Sequence, residues 1–231
     1  MKDKYSISVV IPVYNEIRFL ESAVCYIDSF LAEHFHDYEI ILIESGSTDG
    51  SGEACDELAA KLPSLRLIHE GSRNGFGSAL RLGYKNATKD LVWLITVDLP
   101  FPLDSILRAL PLLSRYDCVL SYRSKDNRKL FRKFQSIVYN TLVKTTLGLS
   151  VKHVNSAFKV FKRPIIQGMT LTSNGWFIDA EVLYTIKKNN ISYIEIPIEL
   201  IDRKSGASSI KFSAPLYLIK ELAYFLKEKG K

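Results

Sequence analysis

The 231 residues are 47% hydrophobic and 24% charged, with a net charge of +6. That balance excludes a disordered chain, and a core of this size needs no disulfide staples. The three cysteines, Cys25, Cys55 and Cys118, are far apart without C-x-x-C spacing, which argues against a disulfide framework or structural zinc and for reduced thiols in the cytosol.

The first hundred residues alternate strand and helix. Residues 7–14 (ISVVIPVY) are β-branched and continuous and predict a buried strand. Asn15 and Glu16 suit a helix start, and Leu20, Val24, Ile27 and Leu31 give its stripe. Residues 38–43 (YEIILI) predict a second strand, followed by the polar turn 44–50 (ESGSTDG) and a helix to Lys61. Residues 65–69 read as a third strand, 71–77 as a loop and 78–87 as a helix. Such alternation implies parallel βαβ units with right-handed crossovers, an α/β nucleotide-binding half-sheet.

The stretch 91–102 (LVWLITVDLPFP) organises the chain. Its apolar run predicts an interior strand from Leu91 to Val97, and Pro100 and Pro102 forbid further pairing. Asp98 therefore stands at the carboxyl end of a central strand, the edge where open α/β sheets bind ligands. A carboxylate there is paired, hydrated or metal-bound, or else it caps a helix beginning near Pro102. Tyr14, Glu16, Glu44, Arg73 and Asn74 follow the other strands and converge on the same edge. Acidic and aromatic groups suit a base and ribose, and Asp98 suits a diphosphate-bound divalent cation. Glu44 has a second reading as a helix cap, and Tyr14 as packing. Neither G-x-G-x-x-G after the first strand nor a P-loop motif occurs, which disfavours a dehydrogenase or a P-loop NTPase.

The second half is less regular. Helices are predicted at 102–114, 128–147, 179–188 and 215–227, and strands at 117–121, 156–161 and 192–202, with a basic loop at 203–209. The helix at 128–147 carries Phe131, Phe134, Val138 and Leu142 on one side and Arg128, Lys129, Arg132 and Lys133 near its start. It either faces the core with a solvated basic face or lies on a membrane surface. No run reaches the roughly 18 apolar residues that span a bilayer, and Pro12 and Asn15 interrupt the start before any signal-peptide region forms. The positive charge points to anionic partners without choosing among them. Nucleic acid is not expected, because no basic-aromatic groove motif appears.

VVIPVYNE (9–16), ESGSTDGS (44–51), RNGFGSALRLGY (73–84) and TVDLPFP (96–102) occur in the order and spacing of family-2 glycosyltransferases. SYRSKDNR, HVNSAFKVFKR, FIDAEVLY and IEIPIELIDRKSGASS resemble the branch of dolichol-phosphate mannose synthase and polyprenyl-phosphate sugar transferases. The resemblance runs from about Ser6 to about Lys211. It implies a GT-A fold in a single domain over 1–231, with a nucleotide-binding half at about 6–100, an acceptor-side half at 101–212 and a C-terminal amphipathic helix at 213–231. By the same resemblance, Pro12, Tyr14, Glu16, Glu44 and Arg73 hold the donor nucleotide, and Asp98 ligates Mg²⁺ or Mn²⁺ on its diphosphate. Arg123 and Arg132 face the acceptor phosphate, Arg203 closes over the donor, and Asp179 stands near the acceptor. The implied reaction is an inverting transfer from a nucleotide-diphosphate sugar to a lipid phosphate or glycan, by a cytoplasmic protein peripheral on the membrane.

The chain departs from the family pattern at named positions. Glu44-Ser45 stands for the usual paired Asp, Thr96 for the first Asp of D-x-D, Pro100 for a polar residue, and His153 and Ala157 for Asp and Gly of D-x-x-S-G-F. These changes leave a non-catalytic protein that binds a nucleotide sugar or a membrane partner as the alternative.

Overall fold

A computed structural model describes residues 3–125, 130–201 and 214–229, without the side chains of 131–132, 214–219 and 228–229. The elements run β1 (Ile7–Val13), α1 (Leu20–His34), β2 (Tyr38–Glu44), α2 (Ser51–Lys61), β3 (Leu65–His69), α3 (Phe76–Asn86) and β4 (Leu91–Leu94). They continue with α4 (Ser105–Ala109), a 3₁₀ turn (Leu110–Ser114), β5 (Cys118–Arg123), α5 (Leu130–Leu147), β6 (Lys159–Lys162), α6 (Arg163–Gln167), α7 (Ile178–Lys188), β7 (Tyr193–Ile198) and α8 (Ala214–Lys229).

Among the described residues, seven strands form one sheet in the order β3-β2-β1-β4-β6-β5-β7. Only β6 runs against its neighbours; the other pairings are parallel. Two apolar layers cover the sheet. Val9 and Ile11 of β1 face one, with Val24 and Ile27 of α1, while Val10 faces the other, with Leu80 of α3, Val143 of α5 and Leu183 of α7. A strand buried on both faces reads as a continuous apolar run, which is why β1, β2 and β4 were visible in the sequence.

Pro12 is tolerated inside β1 because of where β4 stops. The carbonyl of Val10 accepts from Ile95 N at 3.1 Å, and Val10–Leu94 is the last pair of that ladder. Pro12 lies two residues beyond Val10, so its missing N–H faces the side from which β4 has already departed.

Several predicted boundaries are corrected. The strand expected to reach Val97 ends at Leu94; residues 96–99 form a turn instead, closed by Leu99 N to Thr96 O at 3.0 Å, with Leu99 at φ 44°. The helix expected at 102–114 splits into α4 and a 3₁₀ turn because Pro111 lacks the donor a continuous helix needs. The first helix begins at Leu20 rather than near Asn15, which sits at φ 55° in the preceding loop. The strand expected from 156 begins at Lys159, and the strand expected to reach 202 ends at Ile198. The short α6 was not anticipated.

The stripe expected to bury α5 is also displaced. Phe134, Ile137 and Val138 are exposed, and Tyr139, Val143 and Leu147, at i, i+4 and i+8, face the core. On α8, Leu222 and Phe225 are buried while Tyr224 and Leu226 are exposed.

Candidate active site

The loops that leave β1 and β2 are laced together. Asn15 N donates to Ser47 Oγ at 3.1 Å, and Asn15 Oδ1 accepts from Thr48 N at 2.8 Å. Glu16 N donates to Ser51 Oγ at 2.9 Å, and Ile17 N to Asp49 Oδ2 at 3.2 Å. Asn15 tolerates its left-handed backbone more readily than a bulky residue would. This places Tyr14 half-buried at the edge, with the Arg73 guanidinium 4.1 Å from its ring centroid. Two residues predicted from separate strands thus meet in a cation–π contact.

Glu44 ends β2 with its side chain only 6% exposed. Oε1 accepts from Ser47 N at 2.6 Å, and Oε2 lies 3.0 Å from His69 Nδ1. Burial pushes its pKa up, but the bonds from Ser47, His69 and the backbone of Gly46 outweigh burial and hold it below the usual carboxylate value. The helix-cap reading of Glu44 does not stand: the position before α2 is Gly50, at φ 91°, and Glu44 binds the preceding turn. Ser45 donates to Glu70 Oε2 at 2.6 Å, and Ser78 to Glu70 Oε1 at 2.7 Å.

Asp98 lies in the turn after β4, where Thr96 Oγ1 donates to its Oδ1 at 2.6 Å. It caps no helix at Pro102, since α4 begins at Ser105, after Asp104. No cluster of three or more His, Cys, Asp or Glu side chains suited to a metal occurs among the described residues. Asp98 beside Thr96 nevertheless fits a cation that brings its own ligands. Mg²⁺ is commonly held by one or two carboxylates, with substrate phosphates and water completing the shell.

Arg123 ends β5, and its backbone N donates to His153 Nδ1 at 3.1 Å. That bond requires Nδ1 unprotonated, so His153 serves here as a backbone acceptor. The side chain of Arg132 and the whole of Arg203 lie outside the described residues.

Asp179, assigned to the acceptor side by resemblance, is held in a buried ion pair. It is buried at the start of α7, 3.0 Å from Lys159 Nζ, itself buried on β6 and bonded to Ser156 O. Burial raises the Asp179 pKa, and the Lys159 charge opposes that rise.

The reading of FIDAE missed its other acid, Glu181, which is fully buried. It accepts from Thr172 N at 3.0 Å, Thr172 Oγ1 at 2.9 Å and Ser173 N at 2.8 Å, and so fixes the 172–175 loop. That loop sits on the start of α3: Asn174 O accepts from Gly77 N at 2.8 Å. A Cβ at Gly77 would overlap Ser173 O and stand 2.7 Å from Gly175 O, so only glycine permits the approach. Trp176 stacks on Phe76 at 4.2 Å. A cavity of about 420 Å³ opens at the opposite edge of the sheet, beside Tyr5, Asp90 and Leu91, away from all these groups.

The sequence model of Glycosyl transferase family 2 matches residues 8–169. The chain belongs to that family. Among curated relatives it is 30% identical over 220 residues to the undecaprenyl-phosphate 4-deoxy-4-formamido-L-arabinose transferase of Klebsiella pneumoniae, covering 94% of this chain and 66% of the relative. It is 30% identical over 227 residues to the Pectobacterium carotovorum protein of the same name, covering 95% and 67%. The chain thus spans about two thirds of the length of these relatives.

Among solved structures, glucosyl-3-phosphoglycerate synthase from Mycobacterium tuberculosis, in complex with Mn²⁺, UDP and phosphoglyceric acid, superposes with a TM-score of 0.72 at 21% identity, over 96% of this chain and 78% of that one. The same synthase has been solved with Mg²⁺ and UDP, at a TM-score of 0.71 and 20% identity, covering 96% and 79%. At these identities the likeness speaks to the fold alone, and the mostly parallel sheet flanked by helices is the GT-A architecture expected of the family.

Proposed function

We propose that this family-2 protein transfers a sugar from a nucleotide-diphosphate donor to a polyprenyl phosphate, with inversion at the anomeric carbon. The observation that carries the reading is that Tyr14, Glu44, Arg73 and Asp98 end or follow the parallel strands β1, β2, β3 and β4 at their carboxyl ends, with Arg73 over the Tyr14 ring. The transferases that the chain resembles act, by name, on undecaprenyl phosphate, which favours catalysis over the binding-only alternative.

In this reading Pro12, Tyr14, Glu16, Glu44 and Arg73 hold the base and ribose, and Asp98 faces the diphosphate. A divalent ion, Mg²⁺ or Mn²⁺, would be held by Asp98 and would neutralise charge on the departing diphosphate. Arg123 draws the acceptor phosphate to the anomeric carbon, with Arg132 and Arg203 assigned by resemblance to the acceptor and the donor. A lipid phosphate is already ionised and needs no general base, whereas a sugar hydroxyl does. The burial of Asp179 against Lys159 suits the first case. No helix among the described residues is long and apolar enough to cross a membrane. The exposed Leu130, Phe134 and Ile137 lie on a helix without one acidic residue, which suits peripheral contact with an anionic cytoplasmic membrane face.

The purified chain, given labelled nucleotide sugars, Mn²⁺ and undecaprenyl phosphate in anionic vesicles, is expected to label the lipid with at least one donor. Neither transfer nor donor hydrolysis with any of them would overturn the reading. Metal binding is expected to depend on the nucleotide. With so few ligands from the chain, titration calorimetry should detect Mn²⁺ at least tenfold more tightly with UDP present than without it. Equal affinity in both conditions would mean that a protein-only site holds the ion.

A further inference from the structure

His69, the last residue of β3, joins two carboxylates from different elements. Its Nδ1 is 3.0 Å from Glu44 Oε2 on β2, and its Nε2 is 3.1 Å from Asp56 Oδ1 on α2. The two acids differ sharply: the Glu44 side chain is 6% exposed and that of Asp56 is 65% exposed. Cys55, also on α2, lies near both acids, but burial first, and then their charge, push its thiol up to about 12, so it stays neutral. The charged groups that bear on the ring are therefore Glu44 and Asp56. Hydrogen bonds to Glu44 and Asp56 raise the His69 pKa, with burial opposing them.

We propose that His69 is a positioning residue for the nucleotide pocket: its imidazolium donates to Glu44 and Asp56 together, aims the buried Glu44 carboxylate at the base, and couples donor affinity to pH. This deepens the transferase reading and rests on it for the identity of the ligand. The longer arm of Glu, where the family usually has Asp, lets one carboxylate engage both Ser47 N and the ring. A neutral imidazole has one donor only. The desolvated Glu44 keeps that donor, because water can replace it at Asp56 but not in the pocket. Loss of the proton therefore frees α2 from the clamp and weakens the remaining bond, so pH tunes donor binding gradually. Removal of the ring leaves a buried carboxylate oxygen without its partner.

The test has a ligand-free arm and a kinetic arm. In the protein without nucleotide, the imidazole NMR signal that His69→Gln deletes is expected to titrate above the usual value of about 6.5, and Glu44→Gln should bring it back toward that value. In donor turnover at saturating acceptor, His69→Ala is expected to raise KM about tenfold, the size expected for loss of a bond to a charged group, with kcat within about twofold. His69→Gln restores a donor and should recover most of that loss. The wild-type KM should climb roughly two- to threefold as His69 deprotonates, and the Gln variant should show no such step. A ligand-free titration at or below the usual value overturns the clamp. A KM unchanged in His69→Ala, or one lost equally in Ala and Gln, overturns the positioning role. A wild-type protein that turns over no donor would overturn the functional reading and the pocket assignment with it, while the ligand-free arm still decides whether the clamp exists.

Discussion

Asp98→Ala is expected to lower kcat/KM for donor turnover by about a thousandfold or more while leaving the folded protein intact. Two losses combine. The diphosphate loses the carboxylate that would hold its counter-ion, and charge developing on the leaving group goes unscreened; removing one group that stabilises such charge costs roughly 10²–10³ in rate. Thr96 also loses the acceptor for its 2.6 Å hydrogen bond. Stability should change by less than about 1 kcal/mol, because Asp98 sits in a partly exposed turn after the β4 ladder has ended. The contrast between dead activity and an unmoved melting temperature is what separates a site residue from a turn residue. Asp98→Asn should recover little, since it keeps the acceptor for Thr96 but not the charge. Steady-state turnover with the donor that the wild type accepts, alongside thermal unfolding, makes the measurement. Activity within tenfold of wild type would remove Asp98 from the site.

Much of this edge was legible because the chain states it locally. A buried parallel strand announces itself as an apolar run, and the residue that breaks the run lies at the strand's end; Tyr14 and Glu44 were located that way. Asp98 was located by the same logic, although β4 stops at Leu94 and a turn, not the strand itself, carries the acid outward. What the sequence could not give was pairing across distance. Nothing local says that His69 bridges to Asp56, or that Arg73 lies over the Tyr14 ring. The two acids of FIDAE show the limit most clearly. Spaced two apart on α7 they look interchangeable, yet Asp179 meets a lysine from β6 while Glu181 gathers the backbone of the 172–175 loop. Helix periodicity reported that α5 is amphipathic but not which stripe is buried, because Phe134 and Val138 are as apolar as Tyr139 and Val143. The choice is made by what α7, α8 and the sheet present to that helix.

Asp179→Ala is expected to destabilise the protein by about 3–5 kcal/mol, a large part of the roughly 5–15 kcal/mol that holds a domain of this kind together. The Lys159 side chain is 2% exposed and that of Asp179 is 10% exposed, so deleting the acid strands an ammonium in the core with only Ser156 O, among the described residues, to receive it. Asp179→Asn, which keeps an oxygen within reach of Lys159, should cost less. Replacing both partners, as in Lys159→Met with Asp179→Leu, removes the stranded charge and should recover most of the loss, since an apolar pair of similar volume often matches a buried ion pair. Urea unfolding of the three variants measures these differences. The double variant also decides what Asp179 does in turnover. If the acid touches the acceptor, the refolded double variant stays inactive. If the ion pair only fastens α7 to β6 beneath the sheet edge, activity returns with stability. The burial of both groups, and a lipid phosphate that needs no proton removed, favour the second result.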